Sequence, residues 1–215
     1  MAQIINYEEA KNKIQTGETK KSENERCNNI LRNLEEKREN FTTSLIIKTA
    51  EDILKATGFY NRNIAIPINK IVKNFGITPY KEKMKKSNIY GCLYVNGTTI
   101  QIYRQDKIII VNKNNSTYFN RFIVARQLAV FLLNFKENDG YSDKQKVFID
   151  EYKDEYCKDY QRFATEILMP TDMFIKQHDI AVEEDNRRIF VIMYLSRYFE
   201  VPEYFVERRI YELTH

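Results

Sequence analysis

The segment Tyr118–Phe135 constrains this chain more than any other. It is apolar on nearly every side, and a helix without a wet face has to sit in the middle of a domain. Everything else must then be arranged around a buried rod. In the centre of that rod, among Phe122, Ile123, Val124, Ala125, Leu128, Ala129, Val130 and Phe131, stand Arg126 and Gln127.

The flanking segments suggest what surrounds the rod. Leu45, Ile46, Ala50, Ile53 and Leu54 recur at helical spacing, and Gly58 ends the run. Pro67 opens a second short helix that carries Ile71, Val72 and Phe75 and is capped by Gly76. A strand is expected at Ile77–Tyr80, then a basic loop from Lys81 to Lys86. Gly91–Val95 and Thr98–Tyr103 flank Asn96-Gly97, a tight-hairpin signal, and Lys107–Asn112 follows as a further strand. The pattern predicts a small antiparallel sheet of three or four strands.

Beyond the rod, a long helix is predicted over Lys144–Leu168, stopping at Pro170. A short one follows over Thr171–His178 with Thr171 as N-cap. Two more close the chain, Asn186–Phe199 and Pro202–Leu213. The expected class is α+β: a mostly helical core with a small sheet, followed by a helix-turn-helix-like pair. Three regions are expected. Residues 1–44 form a charged helical or partly disordered extension, 45–178 the core, and 179–215 the C-terminal helical pair.

Composition excludes several classes. Of 215 residues, 43% are hydrophobic and 30% charged, which suits a globular protein. The net charge of +4 is too small to argue for nucleic acid by itself. Cys27, Cys92 and Cys157 are isolated, so a reducing compartment with free thiols is expected. No apolar run reaches the ~18 residues of a membrane span, and Met1–Lys21 lacks a signal core. A cytoplasmic location is expected. Only His178 and His215 exist, so no His-x-x-x-His pair can be built anywhere.

Two segments carry a family resemblance. Arg121-Phe122-Ile123-Val124-Ala125-Arg126-Gln127-Leu128-Ala129-Val130-Phe131-Leu132-Leu133 is similar to Arg-Phe-Thr-x-Ala-His-Glu-x-Gly-His-x-Leu-Leu. Asp159-Tyr160-Gln161-Arg162-Phe163-Ala164-Thr165-Glu166-Ile167-Leu168-Met169-Pro170 is similar to a helix ending Glu-x-x-x-Phe-Ala-x-x-Leu-Leu-Met-Pro. Both patterns belong to the ImmA/IrrE family of metallopeptidase-like proteins, which the chain resembles from about Leu45 to Phe174. The resemblance implies a zincin-like core and, in the usual member, a zinc endopeptidase that cuts a helix-turn-helix repressor, often on a phage or other mobile element. Leu195–Arg209 is similar to the helical pair that follows the core.

The departures fall on the chemistry. The resemblance places Arg126 and Val130 at the two histidine positions, Gln127 at the general-base position and Asp159 at the third ligand. Arg has no lone pair to give, Val has no donor atom, and an amide takes no proton near neutral pH. The expectation is therefore a His-Glu-x-x-His motif that has degenerated, with no catalytic residue, metal or cofactor. An Arg126–Asp159 ion pair is expected to fill the old metal space.

The function expected is a non-catalytic, peptidase-like protein that binds a protein partner. The resemblance implies a helix-turn-helix repressor or other regulator of transcription, with an inhibitor of a host or rival-element protein as a further candidate. One alternative is a DNA-binding regulator that uses the last two helices through Arg187, Arg188, Arg197, Arg208 and Arg209. The other is a zinc endopeptidase with unusual ligands such as Asp159, Glu155 and Cys157.

Overall fold

The computed structural model describes residues 22–34, 42–84, 86, 88–95, 102–134, 146–150 and 158–215. Helix α1 covers residues 22–34. It is followed by α2 (Thr43–Ala56), α3 (Ile68–Lys73), β1 (Thr78–Glu82), β2 (Gly91–Val95), β3 (Lys107–Asn112) and α4 (Thr117–Asn134). Then come β4 (Lys146–Asp150), α5 (Lys158–Leu168), α6 (Thr171–Glu184), α7 (Arg188–Phe199) and α8 (Glu203–Thr214). The class is α+β, mostly helical, as the hydrophobic pattern predicts.

The apolar rod is α4, and it takes the central place. Residues Phe122 to Leu132 are buried without a break. The sheet covers one side through β2 and β3, α5 covers another, and α2 packs on α5. Gly91 marks the closest approach of sheet to rod. A Cβ there would lie 2.5 Å from Ile123 Cγ2 and 3.1 Å from the Ile110 carbonyl oxygen, so only glycine fits.

The sheet has the order β1-β3-β2-β4. Strands β2 and β3 pair antiparallel, as do β2 and β4, but β1 runs parallel to β3. The sheet is therefore mixed rather than antiparallel throughout. Composition accounts for the placement. The continuous run Ile108–Val111 is buried and takes an inner position, while half-exposed β1 takes an edge. The Asn96-Gly97 turn lies outside the described residues. Ile102 and Tyr103 lie in a helical turn, so the strand expected over Thr98–Tyr103 does not reach its end.

Two helix predictions need correction. The helix expected over Lys144–Leu168 is a strand, β4, followed by the shorter α5. Val147, Phe148 and Ile149 suit a strand, and pairing with β2 outweighs the helical reading of their charged neighbours. Helix α6 runs on to Glu184, and Pro170 rather than Thr171 takes its cap position. The Thr171 hydroxyl is engaged elsewhere, as described below.

The N-terminal helix is not a bare arm. Cys27 and Leu34 of α1 are buried in the same core cluster as α4, and Ile30 and Leu31 pack against it. Burial pushes the Cys27 thiol up to about 11, so it stays protonated and packs as a small apolar group. Helix α2 is capped by Thr42, whose hydroxyl accepts from the Leu45 amide at 3.3 Å. Gly58 and Gly76 both take positive φ at helix ends, as their positions predict.

Candidate functional site

Arg126, Gln127 and Val130 lie on the buried middle of α4, with 2%, 1% and 6% exposure. Positions 126 and 130 are one turn apart and share a face. In a working zinc peptidase that face would present two imidazoles. Here it presents a guanidinium and an isopropyl group, beside an amide. These side chains do not fit zinc: one repels a cation and the other has nothing to donate. Among the described residues, no group of three or more His, Cys, Asp and Glu side chains could hold a metal ion.

The third position behaves differently from the sequence expectation. Asp159 lies in the first turn of α5 and is exposed. Among the described residues no ion pair or hydrogen bond joins Asp159 to the buried Arg126, so the expected pair is not formed. The physical reason is position. An acid in the first turn of a helix faces unpaired backbone N–H groups and keeps its water, so it gains little from being buried. Glu155 and Cys157 lie outside the described residues.

Other side chains bind α4 to its surroundings. At its C-terminal end, Asn134 Nδ2 donates to the Val130 carbonyl and to the Tyr160 hydroxyl, both at 2.9 Å. At its N-terminal end, Asn120 Nδ2 donates to the Asn112 carbonyl at 3.1 Å and Asn120 Oδ1 accepts from Asn115 at 3.0 Å. Arg121 binds the backbone of two other segments. It donates to the carbonyls of Ile66 at 2.8 Å and Glu200 at 3.1 Å, and pairs with the Glu200 carboxylate at 3.1 Å. Burial lowers the pKa of its guanidinium, with Glu200 opposing the shift. One residue thus joins α4 to the segment before α3 and to the turn between α7 and α8.

One buried ion pair among the described residues was not legible from spacing. Arg209 of α8 donates from both terminal nitrogens to the two oxygens of Glu166 on α5, each at 2.7 Å. Its Nη2 also donates to Thr171 Oγ1 at 2.8 Å and to the Met169 carbonyl at 3.2 Å. Thr171 in turn donates to Glu166 at 3.2 Å. The side chains of Arg209 and Glu166 are only 3% and 5% exposed. One signal could have found this: Glu166 is a charged residue inside the apolar end of α5, between Ala164 and Ile167.

Of the C-terminal pair, α8 packs directly on α4 and α7 packs on α6. Phe205 of α8 stacks on Phe122 with ring centroids 3.5 Å apart, and Phe199 of α7 lies 5.5 Å from Phe174. Phe199 and Phe205 are core residues, whereas Tyr204 is exposed. Of the arginines considered for phosphate, Arg187 pairs with Asp185 and Arg208 with Glu212 and Gln161. Arg209 is buried. His178 is half-buried beside Asp179 at 3.6 Å.

No helix among the described residues is long and apolar enough to cross a membrane. Among curated proteins none matches this chain. A peptidase family model, described as the IrrE N-terminal-like domain, matches residues 72–211. That span contains Arg126, Gln127, Val130, Asp159 and both halves of the Glu166–Arg209 pair. On that match, which covers more than half of the sequence, the chain belongs to the family of IrrE N-terminal-like, peptidase-like proteins.

Proposed function

We propose that this chain is a non-catalytic member of its family that binds a protein partner. One observation carries the reading: the two positions where the family resemblance calls for histidines are Arg126 and Val130, both built into the interior of α4. Gln127 beside them cannot act as a base. A peptidase of this design needs a metal-polarised water and a carboxylate to deprotonate it, and neither can be assembled from these three side chains. The family match runs on both sides of these positions, over residues 72–211, which favours a role in recognition. The resemblance makes a helix-turn-helix repressor the leading candidate, and a regulator carried by a mobile element the broader class.

DNA binding through α7 and α8 is the weaker reading. Three of the five arginines that could meet phosphate already have acidic or amide partners, and Glu203 and Glu207 stand exposed on α8. The test is direct. The purified chain is incubated with a candidate repressor, the mixture is followed by mass spectrometry, and the protein is analysed for zinc. A stable complex with intact repressor and substoichiometric zinc is expected. Cleavage of the repressor, or zinc that survives dialysis at one per chain, overturns the proposal.

A further inference from the structure

The positive charge of this protein is concentrated in one place. Lysines 81, 83, 85, 86, 107 and 113 with Arg104 face only Glu82 and Asp106 between residues 81 and 113. That stretch therefore carries +5, more than the +4 of the whole chain. The fold gathers part of this charge at one end of the sheet. Lys81 pairs in register with Val111, and the Lys113 amide donates to the Glu82 carbonyl at 2.8 Å, which places Lys113 beside Lys83. Lys86 lies in the connection that returns to β2 at the same end, since the Asn112 amide donates to the Tyr90 carbonyl.

Lys81, Lys83, Lys86 and Lys113 are all exposed. None is joined to an acid among the described residues. Glu82, the acid within the cluster, accepts from the Tyr103 hydroxyl at 2.6 Å and faces the other side of the strand. The first turn of α4, which starts here, contains no acid either, so its partial positive charge adds to the field. Beside the lysines a groove lies between β1 and α4, where the apolar Pro79, Val111 and Val124 line it together with Lys81, Asn120 and Arg121.

We infer that this basic end of the sheet docks an acidic, extended segment of the protein partner, with acidic side chains on the lysines and an apolar one in the groove. The inference rests on the protein-binding reading above and supplies its chemistry. A peptide is favoured over nucleic acid for two reasons. The cations are lysines, point charges without the planar fork that grips phosphates and base edges. The neighbouring aromatic ring, Tyr80, is packed against Tyr103 at 4.9 Å instead of being offered as a stacking platform.

The test uses the full chain, a fluorescein-labelled deca-glutamate peptide and an oligo-dT of matched charge, read by fluorescence anisotropy. Lys81→Glu with Lys113→Glu is compared with Lys48→Glu with Lys176→Glu, which reverses equal charge at exposed sites on α2 and α6. The peptide is expected to bind in a salt-sensitive manner, and to weaken roughly tenfold or more in the first variant and little in the second. Equal weakening in both variants overturns the proposal, as does oligo-dT binding that is tighter and depends on Lys81 and Lys113. The same mixtures are examined by mass spectrometry. A cut peptide breaks the non-catalytic reading and leaves the docking surface standing. An intact peptide with unchanged affinity in the first variant breaks the docking surface and leaves that reading standing.

Discussion

The two ends of α5 carry acids two turns apart, and the fold treats them oppositely. Asp159 sits exposed in the first turn, at the position where the family resemblance places a metal ligand. Glu166 is buried, and both of its oxygens are held by Arg209 while Thr171 donates to one of them. The end that the resemblance compares with a metal ligand is open to water. The end that only holds helices together is sealed and bonded. The contact that ties α5 to α8 holds a buried charge, which can be discarded only together with its partner.

The largest expected effect tests the sealed end. Glu166→Ala leaves the Arg209 guanidinium buried without its carboxylate and costs about 3–5 kcal/mol, read as a lower urea midpoint at unchanged slope. Replacing both partners, Glu166→Leu with Arg209→Met, recovers most of that loss. A Glu166→Ala protein as stable as the parent would erase the contrast between the two ends.

Next comes an attempt to anchor the open end. Arg126→His, Gln127→Glu and Val130→His together restore the missing donors and base. Zinc at a hundredfold over its Kd should then stabilise the protein by about 2.7 kcal/mol, measured as a zinc-dependent rise in Tm. Adding Asp159→Ala should remove most of that rise. If zinc stabilises the triple variant equally with and without Asp159, the assignment of this residue to the third ligand position fails.

Smaller effects locate the boundary between the two ends. Asn134→Ala removes the amide that joins α4 to Tyr160, one residue beyond Asp159, and is expected to cost about 1 kcal/mol. Asp159→Asn itself should change stability by no more than about 0.5 kcal/mol, in the same denaturation experiment. A loss of several kcal/mol there would mean that Asp159 has a buried partner after all.

Much of this architecture was legible because it depends on local chemistry. The rod at Tyr118–Phe135 had to be central once it lacked a polar face. The glycines at 58 and 76 had to end helices because they accept positive φ. The absence of a His-x-x-x-His pair excluded the usual zinc site without any structure. Where reading failed, the deciding interaction was remote. Val147–Ile149 suits a strand but is too short to outweigh its charged neighbours locally, and it becomes one because β2 offers it a register. β1 joins β3 in parallel through a pairing no neighbouring residue announces.

By itself, then, the sequence determined which segments must be buried and which reaction chemistry three particular side chains cannot perform. Both follow from properties a residue carries with it: its polarity, its lone pairs, its allowed backbone angles. Only the tertiary structure decided which charges meet. Arg209 reaches Glu166 across 43 residues while Asp159 stays exposed to water, because pairing depends on where helix ends land and how much water each site retains, and neither quantity is written in spacing.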